Sequence, residues 1–382
     1  MSSPARILVV RHGLPASDCA AAFRSLGCEV GTVGEEPSVV EAAAKGFGAD
    51  AVFSVNVHAA YARACGRLGC RYLAWILDPL VNWRKVPDDL DALGPHCQVG
   101  SYDPVQVDLY RRSAAREVFL LPAGANASRF CPGNPPGKRY PVSFVGTSLL
   151  RETNEFAVIR SQLRARVASG QDATGYSATT LSLCDAVVER QLADVSSFRM
   201  KSLLEEEERR LGLTVIAPEW TPEKRTFLMG LAKEAASRER IEAVRALQGI
   251  AVTVHGTEDW RDVLSGTLVY GGRIDSEREL PNVYRRTDVN LNLTRFYAGD
   301  VVPPRVFEVL AAGGFVLTND TPAIEGLLVP GEEVETFRTR EELREKVEAA
   351  LADPARARAV AVCGRQRVLA DHTVERRLLA FL

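Results

Sequence analysis

The sequence predicts an α/β protein of two domains, each built on a parallel sheet, with a helical insertion in the second domain. Three observations carry this prediction. At 382 residues, the chain is too long for a single hydrophobic core. Apolar runs of strand length alternate with helical patterns near both ends of the chain, as in parallel sheets covered on both faces. Between these parts, a charged stretch of about residues 153–247 has the pattern of helices.

The first part of the chain alternates strand and helix. The segment "PSVVEAAAKGFG" begins with proline and ends with glycine, which is typical of a helix. Because ligands of parallel sheets bind beyond the carboxyl ends of the strands, His12, His58 and Asp78 are candidate site residues. The sequence predicts strands at "RILVV", "CEVGTVG", "DAVFSVNVH", "RYLAWILD" and "REVFLLP", and another helix at "SDCAAAFRSLG".

The second part repeats the alternation after a linker rich in glycine and proline, "FCPGNPPGKRYP". We expect a first domain over 1–133, a second over 140–365, and a C-terminal helix over 366–382 that can cross back to the first domain. Within the insertion, the charged run "LLEEEERRLG" is interpreted as a solvated helix face. The strands predicted here are "VSFVGT", "IAVTVHG", "GTLVYGG", "DVNLNLT" and "FVLTND".

Composition and net charge limit the classes of binding partner and the cellular compartment that we expect. The net charge of −2 gives no electrostatic reason to expect nucleic acid or an anionic membrane as a partner. No apolar run approaches the ~18 residues that span a membrane, and the start of the chain shows no signal-peptide pattern. The eight cysteines form no C-x-x-C pair and accompany no histidine cluster, so we interpret them as reduced thiols and expect no metal site. These observations predict a cytoplasmic protein.

The opening "ARILVVRHGLP" resembles the Arg-His-Gly phospho-acceptor signature of histidine phosphatases, with His12 as the acceptor. Such an enzyme needs a second histidine after a late strand, and His255 in "AVTVHGTEDW" could supply it. The two histidines lie on either side of the linker and the insertion, and this fold would leave the segment after residue 255 without a role. A phosphatase is therefore the weakest alternative, and His12 is better interpreted as part of the first domain's cleft.

The most informative stretch contains a short helix, "ELPNVYRRT", a buried strand, "DVNLNL", and a loop leading to a helix that begins near Pro304. Proline is favoured there because its missing N–H has no partner to lose. A helix start carries free N–H groups and partial positive charge, so it attracts an anion such as a diphosphate. Arg305 adds a planar set of donors for phosphate oxygens. Glu308, one turn further, could accept hydrogen bonds from a ribose diol.

This stretch resembles the C-terminal donor domain of GT-B glycosyltransferases, which carries an acid-x7-acid pattern. Asp300 and Glu308 have that spacing, and "FEVLAAGGFVLT" is similar to the helix and strand that follow. The resemblance is closest to the spore-coat-type glycosyltransferase-like (glycosyl transferases group 1) family, in which an arginine just before the Phe-Glu pair is typical. It covers roughly 1–150 and 250–382. It implies two Rossmann-like domains facing a cleft, and sugar transfer from a nucleotide-sugar such as a UDP-sugar to a protein or surface-glycan acceptor.

Carried over residue by residue, the resemblance implies that Glu308 holds the ribose hydroxyls and Arg305 neutralises the diphosphate, with neither a metal nor a cofactor. The sequence departs from the family pattern at Asp300, where glutamate is usual, and at the prolines of "VVPPR", which offer no amides. Retaining and inverting stereochemistry therefore both stay open. The other implied donor contacts are Arg273 and Ile274 against the base, and Gly146, Thr147 and Ser148 near the phosphates.

An inverting enzyme needs a base on the acceptor hydroxyl, and the first domain should provide it. Asp78, directly after "AWIL", is the first candidate, His58 the second and His12 the third. Each also has a purely structural interpretation, as a turn residue or a buried histidine with satisfied hydrogen bonds. The aromatic residues that could stack on a sugar, or simply belong to the core, are Trp75, Trp83 and Tyr102.

Structural alternatives also stand beside the donor residues. Asp300 could cap a loop, Arg305 could pair with a nearby acid, and Glu308 could be an exposed helix residue. The weakened motif residues, Asp300 and the two prolines, leave a second function open: a nucleotide-sugar-binding or assembly protein that keeps the fold without turnover.

Overall fold

The computed structural model describes residues 4–78, 86–151, 154, 156–195 and 197–382. These residues form two parallel sheets of six strands each, flanked by helices. Trp83, predicted as a residue that could stack on a sugar, lies outside the described residues.

The first sheet has the strand order β2-β1-β3-β4-β5-β6. The chain runs outward from β1 to β2, returns to β3 on the other side of β1 and then proceeds to the far edge. The order therefore reverses between β1 and β3, and ligands of such sheets bind at this point. The strands are β1 (Arg6–Val10), β2 (Glu29–Val33), β3 (Ala51–Val55), β4 (Arg71–Ile76), β5 (Cys97–Ser101) and β6 (Glu117–Leu120).

The second sheet has the order β12-β11-β10-β7-β8-β9 and reverses between β7 and β10. These two strands are neighbours in the middle of the sheet, with Val289 opposite Val142 and Leu291 opposite Phe144. The strands are β7 (Tyr140–Val145), β8 (Val252–His255), β9 (Leu268–Gly272), β10 (Thr287–Asn292), β11 (Val316–Asn319) and β12 (Glu335–Phe337).

The helices have clear start and stop signals. Proline stands at the start of several of them, and Gly48 ends the second in the left-handed conformation. Thr221 and Thr339 cap the ninth and thirteenth by accepting hydrogen bonds from backbone N–H groups. The helices are α1 (Gly13–Ser25), α2 (Pro37–Phe47), α3 (Ala59–Leu68), α4 (Val86–Ala92), α5 (Pro104–Tyr110), α6 (Phe156–Ala168), α7 (Tyr176–Leu192), α8 (Met200–Leu211), α9 (Pro222–Arg245), α10 (Leu280–Arg285), α11 (Pro304–Ala311), α12 (Pro322–Glu325), α13 (Arg340–Ala352), α14 (Pro354–Asp371) and α15 (Val374–Leu378).

Helices α6 to α9 form the insertion and have an apolar cluster of their own. The charged run on α8 is not a solvated face, contrary to the sequence-based interpretation. Glu207 is 4% exposed and binds Arg190 and Arg210. Glu208 accepts a 2.7 Å hydrogen bond from the buried ammonium group of Lys224 on α9. These carboxylates therefore join the insertion helices to one another.

The end of the chain returns to the first sheet. The helix predicted over 366–382 is interrupted, because α14 ends at Asp371 and α15 starts afresh behind the cap residue Thr373. Leu378 and Phe381 are buried with the apolar side chains of the first sheet. Within the described part of the chain, no helix combines the length and the apolarity needed to cross a membrane.

Candidate functional site

A buried arginine marks the reversal point of the second sheet. Arg240, near the end of α9, is 6% exposed. Its guanidinium donates to the carbonyl oxygens of Thr147, at 2.7 Å, and Leu293, at 2.8 Å. These residues follow β7 and β10, so Arg240 connects the carboxyl ends of the two central strands. These two hydrogen bonds hold the guanidinium in place, and neither of their acceptors is a carboxylate.

Two further arginines lie close enough to act on this charge. Burial, together with the positive charges of Arg295 and Arg305, lowers the pKa of Arg240 to about 9. Among the described residues, none of these three side chains forms an ion pair. Three guanidinium groups without a directly paired carboxylate, at the reversal point of a parallel sheet, favour the binding of an anion.

One face of α11 carries Arg305 and Glu308, three residues apart, toward Tyr284 of α10. The Tyr284 hydroxyl donates to a carboxylate oxygen of Glu308 at 3.5 Å and accepts from the Nε of Arg305 at 3.3 Å. Burial raises the pKa of Glu308, whereas Arg305 and Arg129 lower it. The predicted pair is therefore held together by a tyrosine rather than by a direct ion pair.

An ion pair from the first half of the chain lies beside Glu308. Arg129 binds Asp18 of α1, and the two side chains are 14% and 12% exposed. Asn126 donates a 2.7 Å hydrogen bond to the same carboxylate. The Nε and one terminal nitrogen of Arg129 are buried and have no partner. Because Arg129 also acts on the pKa of Glu308, it belongs to the same site.

The residues after β7 are held by the surrounding structure. The Gly146 carbonyl accepts from the indole N–H of Trp260 at 2.8 Å. Ser148 is fully buried, and its hydroxyl donates to Asp259 at 2.6 Å. The side chain of Ser148 therefore supports the loop, and the place of this residue near the donor phosphates stays a prediction. The carbonyl of Thr147 is occupied by Arg240, whereas its hydroxyl is buried without a partner.

Gly256 keeps this loop in place. Its φ of +152° is unfavourable for other residues, and a methyl group on its Cα would collide with the carbonyl oxygen of Gly146. We expect Gly256→Ala to lower the free energy of unfolding by about 3 kcal/mol, because neither backbone segment can move without breaking hydrogen bonds. Urea denaturation checks this, with Gly34→Ala as the control, since Gly34 has open space around its Cα. Equal effects of the two substitutions would contradict the prediction.

The predicted base contacts follow β9. Arg273 is exposed, and Ile274 is half-buried against the apolar cluster that contains Tyr284. Their contact with a base stays a prediction.

Asp300 has a structural partner. One of its carboxylate oxygens accepts from the backbone N–H of Ala323, at 2.8 Å, near the start of α12. Asp103 lies close to the neighbouring residue Gly299. A Cβ atom placed on Gly299 would be 3.6 Å from the carboxylate of Asp103. Burial raises the pKa of Asp103, and the charge of Asp300 raises it too. The loop after β10 thus brings together two carboxylates from different halves of the chain.

The three candidate bases lie at the carboxyl edge of the first sheet. His12 and His58 precede α1 and α3, at the reversal point between β1 and β3, and their rings are 6.5 Å apart. His12 is 2.9 Å from a carboxylate oxygen of Glu35. Asp78 follows β4, the next strand of the sheet. Its exposed carboxylate accepts a 2.8 Å hydrogen bond from the side-chain amide of Asn56. The structure therefore brings all three candidates to one edge.

His255 is not part of that group. It ends β8 in the second sheet and is 3% exposed, with the ring of Tyr140 5.4 Å away. Burial lowers the pKa of its imidazole. The pairing of His12 with His255 that a phosphatase would need is therefore absent from the described structure.

Comparisons with known proteins agree with this architecture. Residues 233–382 match the model of a family described as "Glycosyl transferase-like". Sucrose-phosphate synthase from Thermosynechococcus elongatus has a similar structure, with a TM-score of 0.52 and 13% identity over 99% of this chain and 97% of that chain. T4 phage BGT, in complex with its UDP-glucose substrate, has a TM-score of 0.53 and 10% identity over 99% of this chain and 98% of that chain. The chain has the GT-B fold of glycosyltransferases.

A further GT-B neighbour is Anabaena Alr3699/HepE in complex with UDP and glucose, with a TM-score of 0.51 and 10% identity over 98% of each chain. A search of the curated proteins finds none that matches this sequence. The resemblance to GT-B glycosyltransferases predicted from the sequence is confirmed, and so is the fold class of two Rossmann-like units.

In this GT-B chain, four residues of the site escaped the sequence analysis. Arg295 follows "DVNLNLT", so the rule that ligands bind at strand ends could have found it. Arg240 belongs to the insertion, which the resemblance seen in the sequence did not cover, although the matched family model of residues 233–382 includes it. Asp18 and Arg129 are brought together only by the fold, and nothing in their local sequence marks them.

The pH dependence of ligand binding should reveal Glu308. Because burial raises its pKa, its carboxylate is protonated at a higher pH than an ordinary glutamate and then accepts fewer hydrogen bonds. For a ligand whose hydroxyl groups donate to this carboxylate, we expect the affinity to fall as the pH drops from neutral through this raised pKa. The effect of Glu308 on the free energy of unfolding has the opposite pH dependence. Its raised pKa stabilises the folded protein at low pH, and this stabilisation is lost as the pH rises through the raised pKa.

Calorimetric titration with UDP-glucose across this range measures the first effect, and urea denaturation without ligand measures the second. Glu308→Gln, which cannot ionise, is the control and should remove both pH dependences. Equal pH dependence in the wild-type protein and in Glu308→Gln would show that another group is responsible.

Proposed function

We propose that the protein is a glycosyltransferase that moves a sugar from a nucleotide-sugar donor to an acceptor hydroxyl. The observation that carries this proposal is the cluster of Arg240, Arg295 and Arg305, which lies next to Glu308 at the reversal point of the second sheet. A nucleotide-sugar has the matching chemistry, because its diphosphate is anionic and its ribose has two adjacent hydroxyls.

In this proposal, Glu308 accepts hydrogen bonds from the ribose, and Ile274 contacts the base with Arg273 at its edge. Arg305 and Arg295 bind the diphosphate. As the bond between the sugar and the diphosphate breaks, negative charge builds on the leaving group, and fixed positive groups stabilise it. We therefore propose that the reaction needs no metal, since the arginines and the start of α11 supply this charge.

Asp78 is the proposed base on the acceptor hydroxyl, because its carboxylate is exposed at the edge of the first sheet and is oriented by Asn56. His58 and His12 line the same edge and are the second and third candidates. Retention and inversion both remain compatible with this arrangement. The eight cysteines are free thiols, as is usual in the cytoplasm, and we propose this compartment for the reaction.

The test is a thermal-shift screen with UDP-, GDP-, TDP- and CMP-linked sugars, followed by an assay for release of the nucleotide. We expect one nucleotide class to raise the melting temperature and slow hydrolysis of its sugar to occur without an acceptor. UDP-glucose is the first donor to try, because two GT-B neighbours are described with UDP-glucose or with UDP and glucose. No stabilisation by any of the four classes would contradict the proposal.

The alternative function, binding without turnover, has one observation in its favour. Asp300 uses a carboxylate oxygen to cap α12, and the two prolines before Arg305 offer no amides to a sugar. Stabilisation by a nucleotide-sugar with no release of nucleotide, even with acceptors added, would favour this alternative over a transferase.

A further inference from the structure

A cavity of about 1000 Å³ lies beside the proposed donor site. Its walls come from the loop after β10, the ends of β11 and β12, the insertion, and the start of α5 in the first half of the chain. The loop 294–300 is shared, because it lines the cavity and also carries Arg295 of the arginine cluster. A molecule in the cavity would therefore lie next to the diphosphate end of the donor.

One part of the cavity wall is apolar. Phe198 of the insertion is stacked on Phe296 of the loop after β10, with ring centres 6.3 Å apart and an angle of 29° between the rings. Met229 of α9 and Phe337 of β12 add two buried side chains to the same lining. This wall can cover a ring or another flat apolar group, since aromatic pairs favour offset stacking.

The polar part of the lining is acidic. Asp103, Asp300 and Glu325 line the cavity, and within the described residues none of them forms an ion pair. The positive charge of Arg338, a basic residue of the lining, is paired with Asp320, to which its Nε donates a 2.6 Å hydrogen bond. Arg295 is the other basic residue of the lining, and it stands at the donor end. The charges thus favour an anion beside Arg295 and a cation beside the exposed carboxylate of Glu325.

The proposed base reaches the same region. Burial raises the pKa of Tyr102 in the first half of the chain, Asp103 and Asp78 raise it further, and Arg295 lowers it. Gln106 of α5 donates a 2.9 Å hydrogen bond to the backbone carbonyl of Asp78, and Asp103 and Val105 at the start of α5 line the cavity. Asp78 therefore lies next to the segment of the first half that borders the cavity. A hydroxyl group held between Asp78 and Arg295 would have the base on one side and the donor on the other.

We propose that this cavity binds the acceptor, a small hydroxyl-bearing molecule with an apolar ring and a positively charged amine. This inference rests on the proposed function and departs from the protein or glycan acceptor predicted from the sequence, since a cavity of this size fits small molecules. In the transfer, the acceptor oxygen bonds to the anomeric carbon and its proton passes to Asp78. The bond from that carbon to the diphosphate breaks, and the nucleoside diphosphate leaves with the electron pair.

Two matched probes test the chemistry of the cavity. Tyramine has a phenol hydroxyl, a ring and an ammonium group, and 4-hydroxyphenylacetate has the same ring and hydroxyl with a carboxylate. We expect calorimetry to show tyramine binding at least about tenfold tighter, as one or two exposed carboxylates should discriminate by charge. UDP binding is measured on the same protein, so a failed donor site is recognised separately from a failed cavity.

Matched variants locate the tyramine. Val105 is 64% exposed and lines the cavity, so Val105→Trp should fill it and weaken tyramine binding at least about tenfold while UDP still binds. Val39→Trp, at a 49% exposed position on α2, is the control and should change neither. Glu325→Gln should weaken tyramine binding about threefold and leave 4-hydroxyphenylacetate binding no weaker.

Three results would overturn the proposal: equal affinity for the two probes, equal effects of the two tryptophan variants, or displacement of tyramine by UDP. If UDP binds normally and tyramine does not bind at all, the cavity proposal fails and the donor site stands.

Discussion

Replacing Glu308 by alanine is expected to abolish the thermal stabilisation that a nucleotide-sugar gives to the protein. The carboxylate is the acceptor proposed for both ribose hydroxyls, and hydrogen bonds to a charged group contribute about 1.5–3 kcal/mol each. Their loss should weaken the affinity for UDP-glucose by roughly a hundredfold or more. Without ligand, stability should change little, because burial already disfavours the charge that the substitution removes.

The control is Glu345→Ala, which removes an exposed glutamate of α13 and should leave ligand binding unchanged. Glu308→Gln keeps the side-chain volume and one acceptor oxygen, so its affinity should lie between wild type and Glu308→Ala. Calorimetric titration gives the affinities, and urea denaturation gives the stability without ligand. An unchanged affinity for Glu308→Ala would remove this residue from the site, even if the protein proved to bind nucleotide-sugars elsewhere.

Most strands of both sheets could be predicted because each carries a continuous apolar run. β5 was missed because Cys97–Ser101 mixes small and polar residues, although every one of its residues is buried. Its place in the sheet follows from pairing with β4 and β6 and not from the preferences of its own residues. β12 was missed because it has only three residues, too few to show an alternating or apolar pattern.

The site could be predicted where its chemistry is local in sequence. Arg305 and Glu308 share one helix face, so their spacing alone placed them side by side. Ser148 shows the limit of this reasoning, because its orientation depends on Asp259, which is 111 positions away in the chain. Asp300 shows it again, since nothing near it in sequence indicates that the N–H of Ala323 binds its carboxylate.

The insertion contributes to the donor site through a single buried side chain. Arg240 stands near the end of α9, the last insertion helix, and binds the loops after β7 and β10. The resemblance seen in the sequence left the insertion unmatched and so could not include this residue. The insertion also supplies Phe198 and Met229 to the neighbouring cavity. In this chain, the insertion therefore lines both the proposed donor site and the proposed acceptor cavity.

The largest loss of stability is expected from Asp18→Ala, which leaves the guanidinium of Arg129 buried without its counter-charge. Both side chains are largely buried, and removal of one partner of such a pair costs about 3–5 kcal/mol. Asp288→Ala is the matched control, because Asp288 pairs with Arg139 at the surface, where an ion pair contributes about 0–1 kcal/mol. Urea denaturation of both variants measures the difference.

The double variant Asp18→Ala/Arg129→Met separates the missing charge partner from a simple loss of contacts. If the penalty arises from an uncompensated charge, the double variant should recover most of the stability, because methionine can lie on Phe130, whose ring the guanidinium now covers at 4.4 Å. If the losses of stability from the two substitutions merely add, the penalty of Asp18→Ala does not arise from the unpaired charge of Arg129. Since Arg129 also acts on Glu308, the recovered protein should still bind UDP-glucose more weakly than wild type. That combination, restored stability with weakened binding, is the result expected if this ion pair both fixes α1 to the segment just before the linker and belongs to the proposed donor site.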